Sequence, residues 1–108
     1  MNSILENNKL AIIQLCKQHY IKRLYAFGSV VQNTFTNASD IDLLYEVDIE
    51  NFKDWATGKY DYTDNLLSFE KALYDLLGRK IDLIPNVIIN NKYLKQTIEN
   101  TKQEIYAA

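Results

Sequence analysis

Two aspartates, Asp40 and Asp42, stand one residue apart inside an apolar run, with Ile41 between them and Leu43 and Leu44 following. Strands generally avoid aspartate. In an extended segment, residues i and i+2 point to the same face, roughly 6–7 Å apart at Cα. Two ionised carboxylates at that spacing repel by about 2–3 kcal/mol at an effective dielectric of ~20. A bare pair therefore destabilises the fold or keeps one proton. A divalent cation between them reverses the sign of that interaction. Hard oxygen ligands select Mg²⁺ or Mn²⁺ over zinc.

A third aspartate, Asp82, lies between Ile81 and Leu83 in another short apolar stretch. Three carboxylates on adjacent strands suit two metal ions roughly 4 Å apart, clamping the attacking and leaving oxygens of a phosphoryl transfer. Upstream, Gly28 and Ser29 end one strand-like stretch and open a short helix or turn. A helix start offers free backbone N–H groups to phosphate. Glycine allows close approach of the phosphate, and a serine hydroxyl adds a hydrogen bond. Each feature alone has a plain alternative: a simple Gly-Ser turn, a solvated strand end, or an edge-strand charge that limits aggregation. Their combination in this order favours the chemical explanation.

The elements that must position these groups follow from periodicity. Leu5, Ile12 and Cys16 fall on one line of a helix over residues 3 to 18, with Ile13 and Leu15 beside it. "IKRLYAF", residues 21 to 27, is β-branched and aromatic and stops at Gly28, which predicts a strand. "DIDLLYEV", 40 to 47, predicts a second strand, with Asp40, Asp42, Leu44 and Glu46 on one face. Residues 48 to 62 have no clear period and are expected to form a loop. A helix follows with Leu66, Phe69, Leu73 and Leu76 in line, and Gly78 stops it. "RKIDLIP", 79 to 85, predicts a third strand closed by Pro85. Leu94, Ile98, Thr101 and Ile105 then form a weaker helical stripe. The predicted class is α/β or α+β, one domain over 1–108, with a small mixed sheet and helices.

Composition narrows the function. The 108 residues carry a formal charge of −2, from 14 acidic and 12 basic side chains, and only Arg23 and Arg79 are arginines. Binding to duplex nucleic acid usually needs a basic surface, so none is expected. The single cysteine, Cys16, permits no internal disulfide, and with the single histidine, His19, it cannot build a Cys/His metal site. No apolar run approaches the ~20 residues of a membrane span, and the N-terminus lacks signal-peptide character. A cytoplasmic location is expected.

Gly28-Ser29, ten residues, then Asp40-Ile41-Asp42 resembles the nucleotidyltransferase signature of the DNA polymerase β superfamily. "GSVVQNTFTNASDIDLL" keeps the spacing and the Ser39-Asp40-Ile41-Asp42 core, and "GRKIDLI" is similar to the third-carboxylate strand. The match looks closest to the stand-alone minimal nucleotidyltransferases. The resemblance implies a polymerase β-like nucleotidyltransferase fold. It implies that Gly28, Ser29 and Ser39 bind a nucleotide, most simply ATP. It implies that Asp40, Asp42 and Asp82 are catalytic and hold two Mg²⁺, with Asp82 nearest the attacking hydroxyl. Small members are commonly encoded beside a helical HEPN-domain protein as a toxin–antitoxin pair. The nucleotidyltransferase is the antitoxin and moves AMP onto a tyrosine of the HEPN ribonuclease.

One departure matters. Many members carry Ala-Arg-Gly after the Gly-Ser, where this chain has Val31, Gln32 and Asn33. Lys59, Lys71, Arg79 and Lys80 are candidates to replace the lost charge. Two alternatives stand beside the AMP-transfer expectation. One is a binding module of this fold that neutralises its partner by contact alone. The other is a nucleotidyltransferase acting on a small molecule, which the short chain disfavours because such sites enclose their ligand. The aromatic stretch from Phe52 to Tyr62 is a candidate surface for a protein partner. Base preference and homo-oligomer formation stay open.

Overall fold

Alternating apolar residues in the first two predicted strands become the centre of the sheet. A computed structural model describes residues 3–32, 36, 38–48, 62–86 and 91–108. The strands are β1 (Ile21–Phe27), β2 (Ile41–Val47), β3 (Ile81–Pro85) and β4 (Gln103–Ala107). They form one sheet in the order β3-β2-β1-β4. β1 runs antiparallel to both β2 and β4, whereas β2 and β3 are parallel. The helices are α1 (Ser3–Asn7), α2 (Lys9–Gln18), α3 (Tyr62–Leu77) and α4 (Lys92–Thr101), with a 3₁₀ turn over Gly28–Val31. The parallel pair requires a crossover, and α3 supplies it.

Both faces of the sheet are covered. On one side α2 and α3 pack Ile12, Cys16, Phe69 and Leu73 against Leu24, Ala26, Ile41 and Leu43. On the other, Ile98 of α4 buries Phe27 and Leu44. This explains why Leu43 and Leu44, on opposite faces of β2, are both buried. Ile21 and Leu24 are three residues apart and would face opposite sides of a regular strand. A register slip between Ile21 and Arg23 places both in the same core, as a β-bulge does.

Two predicted elements differ. The single helix over 3 to 18 is divided at Asn8, whose Nδ2 donates to Ile4 O at 2.7 Å in competition with helical continuation. The terminal stripe is not one helix. α4 stops at Thr101, Lys102 caps it by donating N–H to Ile98 O at 2.8 Å, and the chain returns as β4. Without β4, the second side of β1 would be an open edge. Ile105 is therefore buried from a strand on the core face. Gly78 ends α3 as predicted, at φ +68° with its N–H on Tyr74 O at 2.8 Å.

Candidate active site

Parallel register sets the centre of the site. Asp42, second residue of β2, pairs with Asp82, second residue of β3, and Phe27, the last residue of β1, flanks Asp42 on its other side. Register partners in neighbouring strands share a face about 4.8 Å apart. The predicted convergence of Asp42 and Asp82 is thus present. Their carboxyls therefore share one face, where each charge disfavours ionisation of the other. Burial first, then the neighbouring Asp82 carboxyl, and last the Asp40 charge push the Asp42 carboxyl up from 3.8 to about 6.

Gly28 closes the site from the β1 side. Its φ of +72° lies in the left-handed region, where glycine alone is free of strain. A Cβ there would meet Asp42 Oδ2 at 2.7 Å. Position 28 is therefore glycine for two separate reasons, backbone conformation and contact with the carboxylate. The short helix or turn expected after it is a four-residue 3₁₀ turn, closed by Gln32 N–H on Ser29 O at 3.0 Å. Val30 is buried and anchors the turn. The Gly28 N–H donates to Thr101 Oγ1 at 3.2 Å. Sequence reasoning placed Thr101 only on a helical stripe. Its arrival beside Gly28 depends on β4 bringing the end of α4 against β1, and no local pattern signals that.

Asp40 and Ser39 sit at the entry to β2. The Asp40 carboxylate is 3.8 Å from Lys80 Nζ, in a pair that is 42% and 72% exposed respectively. Exposed pairs of this kind stabilise little. Ser39 Oγ accepts the Thr36 N–H at 3.0 Å, and Ser39 N–H donates to Thr36 O at 3.1 Å. Arg79 Nη1 donates to Thr36 O at 2.8 Å and to Ser39 O at 3.5 Å. Lys80 O accepts the Ile41 N–H at 2.9 Å. Residues 79 and 80 thus clasp the segment that carries Asp40 into its strand. Of the cations proposed to replace the lost arginine, Arg79 holds this turn and Lys80 faces Asp40. Lys71 lies on α3, lining an open groove of about 320 Å³ with Tyr74 and Lys80. Asn33, Lys59 and the aromatics Phe52, Trp55 and Tyr60 lie outside the described residues.

The donor chemistry suits a hard divalent cation. Asp42 and Asp82 present carboxylate oxygens on one face of the sheet, and a cation between them would relieve their repulsion. Gly28 leaves room against Asp42 that any side chain would fill. Asp40 stands within electrostatic range of Asp42. Among the described residues no three such side chains form a ready-made cluster, and the Asp40 carboxylate is 3.8 Å from Lys80 Nζ.

The nucleotidyltransferase domain family matches residues 11–105. The chain belongs to that family. A Methanocaldococcus jannaschii relative, provisionally named a protein adenylyltransferase, is 37% identical over 89 residues, covering 80% of this chain and 79% of its own. A solved structure provisionally named a minimal nucleotidyltransferase superposes with a TM-score of 0.67 at 23% identity, covering 95% of each chain. A chain from the complex of tri-AMPylated Shewanella oneidensis HEPN toxin with MNT antitoxin superposes with a TM-score of 0.60 at 17% identity. The match covers 95% of this chain and 72% of that one. The expected mixed α+β fold of a minimal nucleotidyltransferase is therefore the observed one, and the protein is a nucleotidyltransferase. Among the described residues, no helix is long and apolar enough to cross a membrane.

Proposed function

We propose that this nucleotidyltransferase moves AMP from ATP to a tyrosine hydroxyl of a HEPN-domain toxin and acts as its antitoxin. The register pairing of Asp42 with Asp82 beside Gly28 is the observation that carries this function. Asp40, Asp42 and Asp82 would hold Mg²⁺, two ions in the complete site. Bound Mg²⁺ would neutralise phosphate charge and lower the pKa of the attacking hydroxyl. Gly28 and Ser29 receive the triphosphate, through backbone N–H groups and the Ser29 hydroxyl. Ser39 acts on the nucleotide side by holding the turn that delivers Asp40. The tyrosine oxygen attacks the α-phosphorus. The bond from that phosphorus to the β-phosphate oxygen breaks and pyrophosphate leaves. Asp82 takes the hydroxyl proton and passes it to solvent.

The names of the relatives support the AMP donor and the HEPN partner. Gln32, standing where the family signature carries arginine, favours a second function, neutralisation by contact without turnover. One experiment separates the two. The protein is incubated with α-labelled ATP, Mg²⁺ and the HEPN protein encoded beside it, and label is mapped by mass spectrometry. AMP on a partner tyrosine, absent with Asp42→Asn and without Mg²⁺, is expected. Tight partner binding with no label on it leaves only the contact function. Efficient labelling of a free small molecule with none on the partner overturns the antitoxin role and leaves the nucleotidyltransferase intact.

A further inference from the structure

The Gly28 amide, which the proposed function assigns to phosphate, already has a partner 73 residues away in sequence. Thr101 Oγ1 accepts it at 3.2 Å. The roles are unambiguous. The Thr101 hydroxyl donates its own proton to Thr97 O at 2.6 Å, and a carbonyl can only accept. The hydroxyl lone pairs are therefore what face Gly28.

Thr101 is held there from both sides. Behind it, the Lys102 N–H caps α4 on Ile98 O, and Ile98 is buried against Phe27 and Leu44. Ahead of it, Gln103 enters the sheet opposite Ala26, two residues before Gly28. A change of Thr101 rotamer would also break its bond to Thr97. On the other side of the contact, Gly28 is pressed against the Asp42 carboxylate. A backbone amide has one proton to give. A phosphate oxygen and Thr101 cannot both be its principal acceptor.

Resting on the nucleotidyl-transfer reading above, we infer that Thr101 is a determinant of nucleotide affinity, an internal acceptor that holds the Gly28 amide in the nucleotide-free chain and yields it to phosphate. The exchange runs in favour of phosphate, because a bond to an ionised acceptor is about twice as strong as a neutral one. It is nonetheless weaker than it would be if the amide were free. The contact also keeps a half-buried amide satisfied when no nucleotide is bound, where an unpartnered N–H is costly. Thr101 thus trades nucleotide affinity for order in the empty site.

Thr101→Val keeps the β-branched shape and removes the acceptor. Binding is measured calorimetrically with a non-hydrolysable ATP analogue and Mg²⁺. Thr101→Val should tighten the analogue by about 2- to 10-fold, the worth of one neutral hydrogen bond. Thr101→Ser, which keeps the hydroxyl, should stay within about twofold of the parent. A loss of packing at this position would weaken binding instead, so the sign separates the two. The amide itself gives a second readout. The chain has only three glycines, so the Gly28 peak is readily assigned in a ¹H–¹⁵N spectrum. It should differ between parent and Thr101→Val without nucleotide and coincide when the analogue is bound. In the parent alone it should move on adding the analogue, which tests the exchange even where Thr101→Val does not fold. Weaker binding by Thr101→Val, or a parent Gly28 peak that stays in place when the analogue binds, overturns the role of Thr101 alone. A parent protein that binds no nucleotide with Mg²⁺ overturns the nucleotidyl-transfer reading itself.

Discussion

Asp42 and Asp82 are register partners across β2 and β3, and their carboxyls face the same side of the sheet. Without a cation this pair is a pH-sensitive element. The Asp42 carboxyl titrates near 3.8 in an unfolded chain and is pushed up to about 6 in the native one, chiefly by burial and then by Asp82. Below about pH 4 both states hold the proton. As pH rises from there to about 6, the unfolded chain releases it while the native chain keeps it, so native stability falls across that window. In EDTA, Asp42→Asn should remove this fall. The melting-temperature advantage of the variant should be small at pH 4, grow to pH 6 and level off above. An advantage independent of pH would show that the native chain does not hold Asp42 protonated.

Gly28 and Gly78 offer a matched comparison. Both have positive φ, +72° and +68°, but a Cβ meets Asp42 Oδ2 at 2.7 Å only at Gly28. Gly78→Ala should lose about 1–2 kcal/mol, the cost of a left-handed non-glycine residue. Gly28→Ala should lose that plus the cost of displacing the carboxylate, and should also lose nucleotide transfer. Urea unfolding and an activity assay on the two variants check this. Equal losses with activity intact in both would mean that Asp42 swings away freely.

Much of this site was legible in sequence because its parts are local. β1 has the bounds that its β-branched and aromatic run predicts, and period-2 alternation correctly placed Asp42 and Leu44 on one face of β2. Asp82 could be matched with Asp42 because both sit between aliphatic residues in short strands joined through a helix. β4 was hidden because Ile105 fits a helical spacing from Leu94 and Ile98 as well as it fits a strand. Only the open edge of β1, a tertiary requirement, decides between them. The same return of the chain brings Thr101 to Gly28, so that contact was illegible for the same reason. The Gly28–Val31 turn is too short to be told from an α-helix by its pattern.

Gln32 is exposed and its backbone closes the turn on Ser29. Gln32→Arg should restore the charge that the family signature carries. Charge-assisted bonds to phosphate are about twice as strong as neutral ones, so ATP should bind several-fold more tightly and the gain should shrink as salt is raised. Titration of ATP at two ionic strengths checks both parts. An unchanged affinity would show that the side chain points away from the phosphates.

Arg79 and Lys80 are adjacent cations with different tasks, and substitution should separate them. Arg79 donates to the carbonyls of Thr36 and Ser39 and shapes the turn before Asp40. Lys80 sets its charge 3.8 Å from the Asp40 carboxylate in an exposed pair. Lys80→Gln should change stability by less than about 1 kcal/mol, as exposed pairs do. It should nevertheless tighten Mg²⁺ binding in the absence of nucleotide, because Lys80 competes with the metal for Asp40. The gain should be a few-fold at low salt and vanish as screening shortens the reach of the charge. Arg79→Lys keeps the charge but loses the planar guanidinium that spans two carbonyls. It should lower stability by about 1 kcal/mol, near the net value of one hydrogen bond, and weaken Mg²⁺ binding by loosening the turn that carries Asp40. Calorimetric Mg²⁺ titrations at two salt concentrations, with thermal melts alongside, read out both variants. Weaker Mg²⁺ binding by Lys80→Gln would mean that Lys80 orients Asp40 instead of competing for it. An Arg79→Lys protein with parental stability and Mg²⁺ affinity would mean that the Ser39–Thr36 hydrogen bonds hold the turn without help.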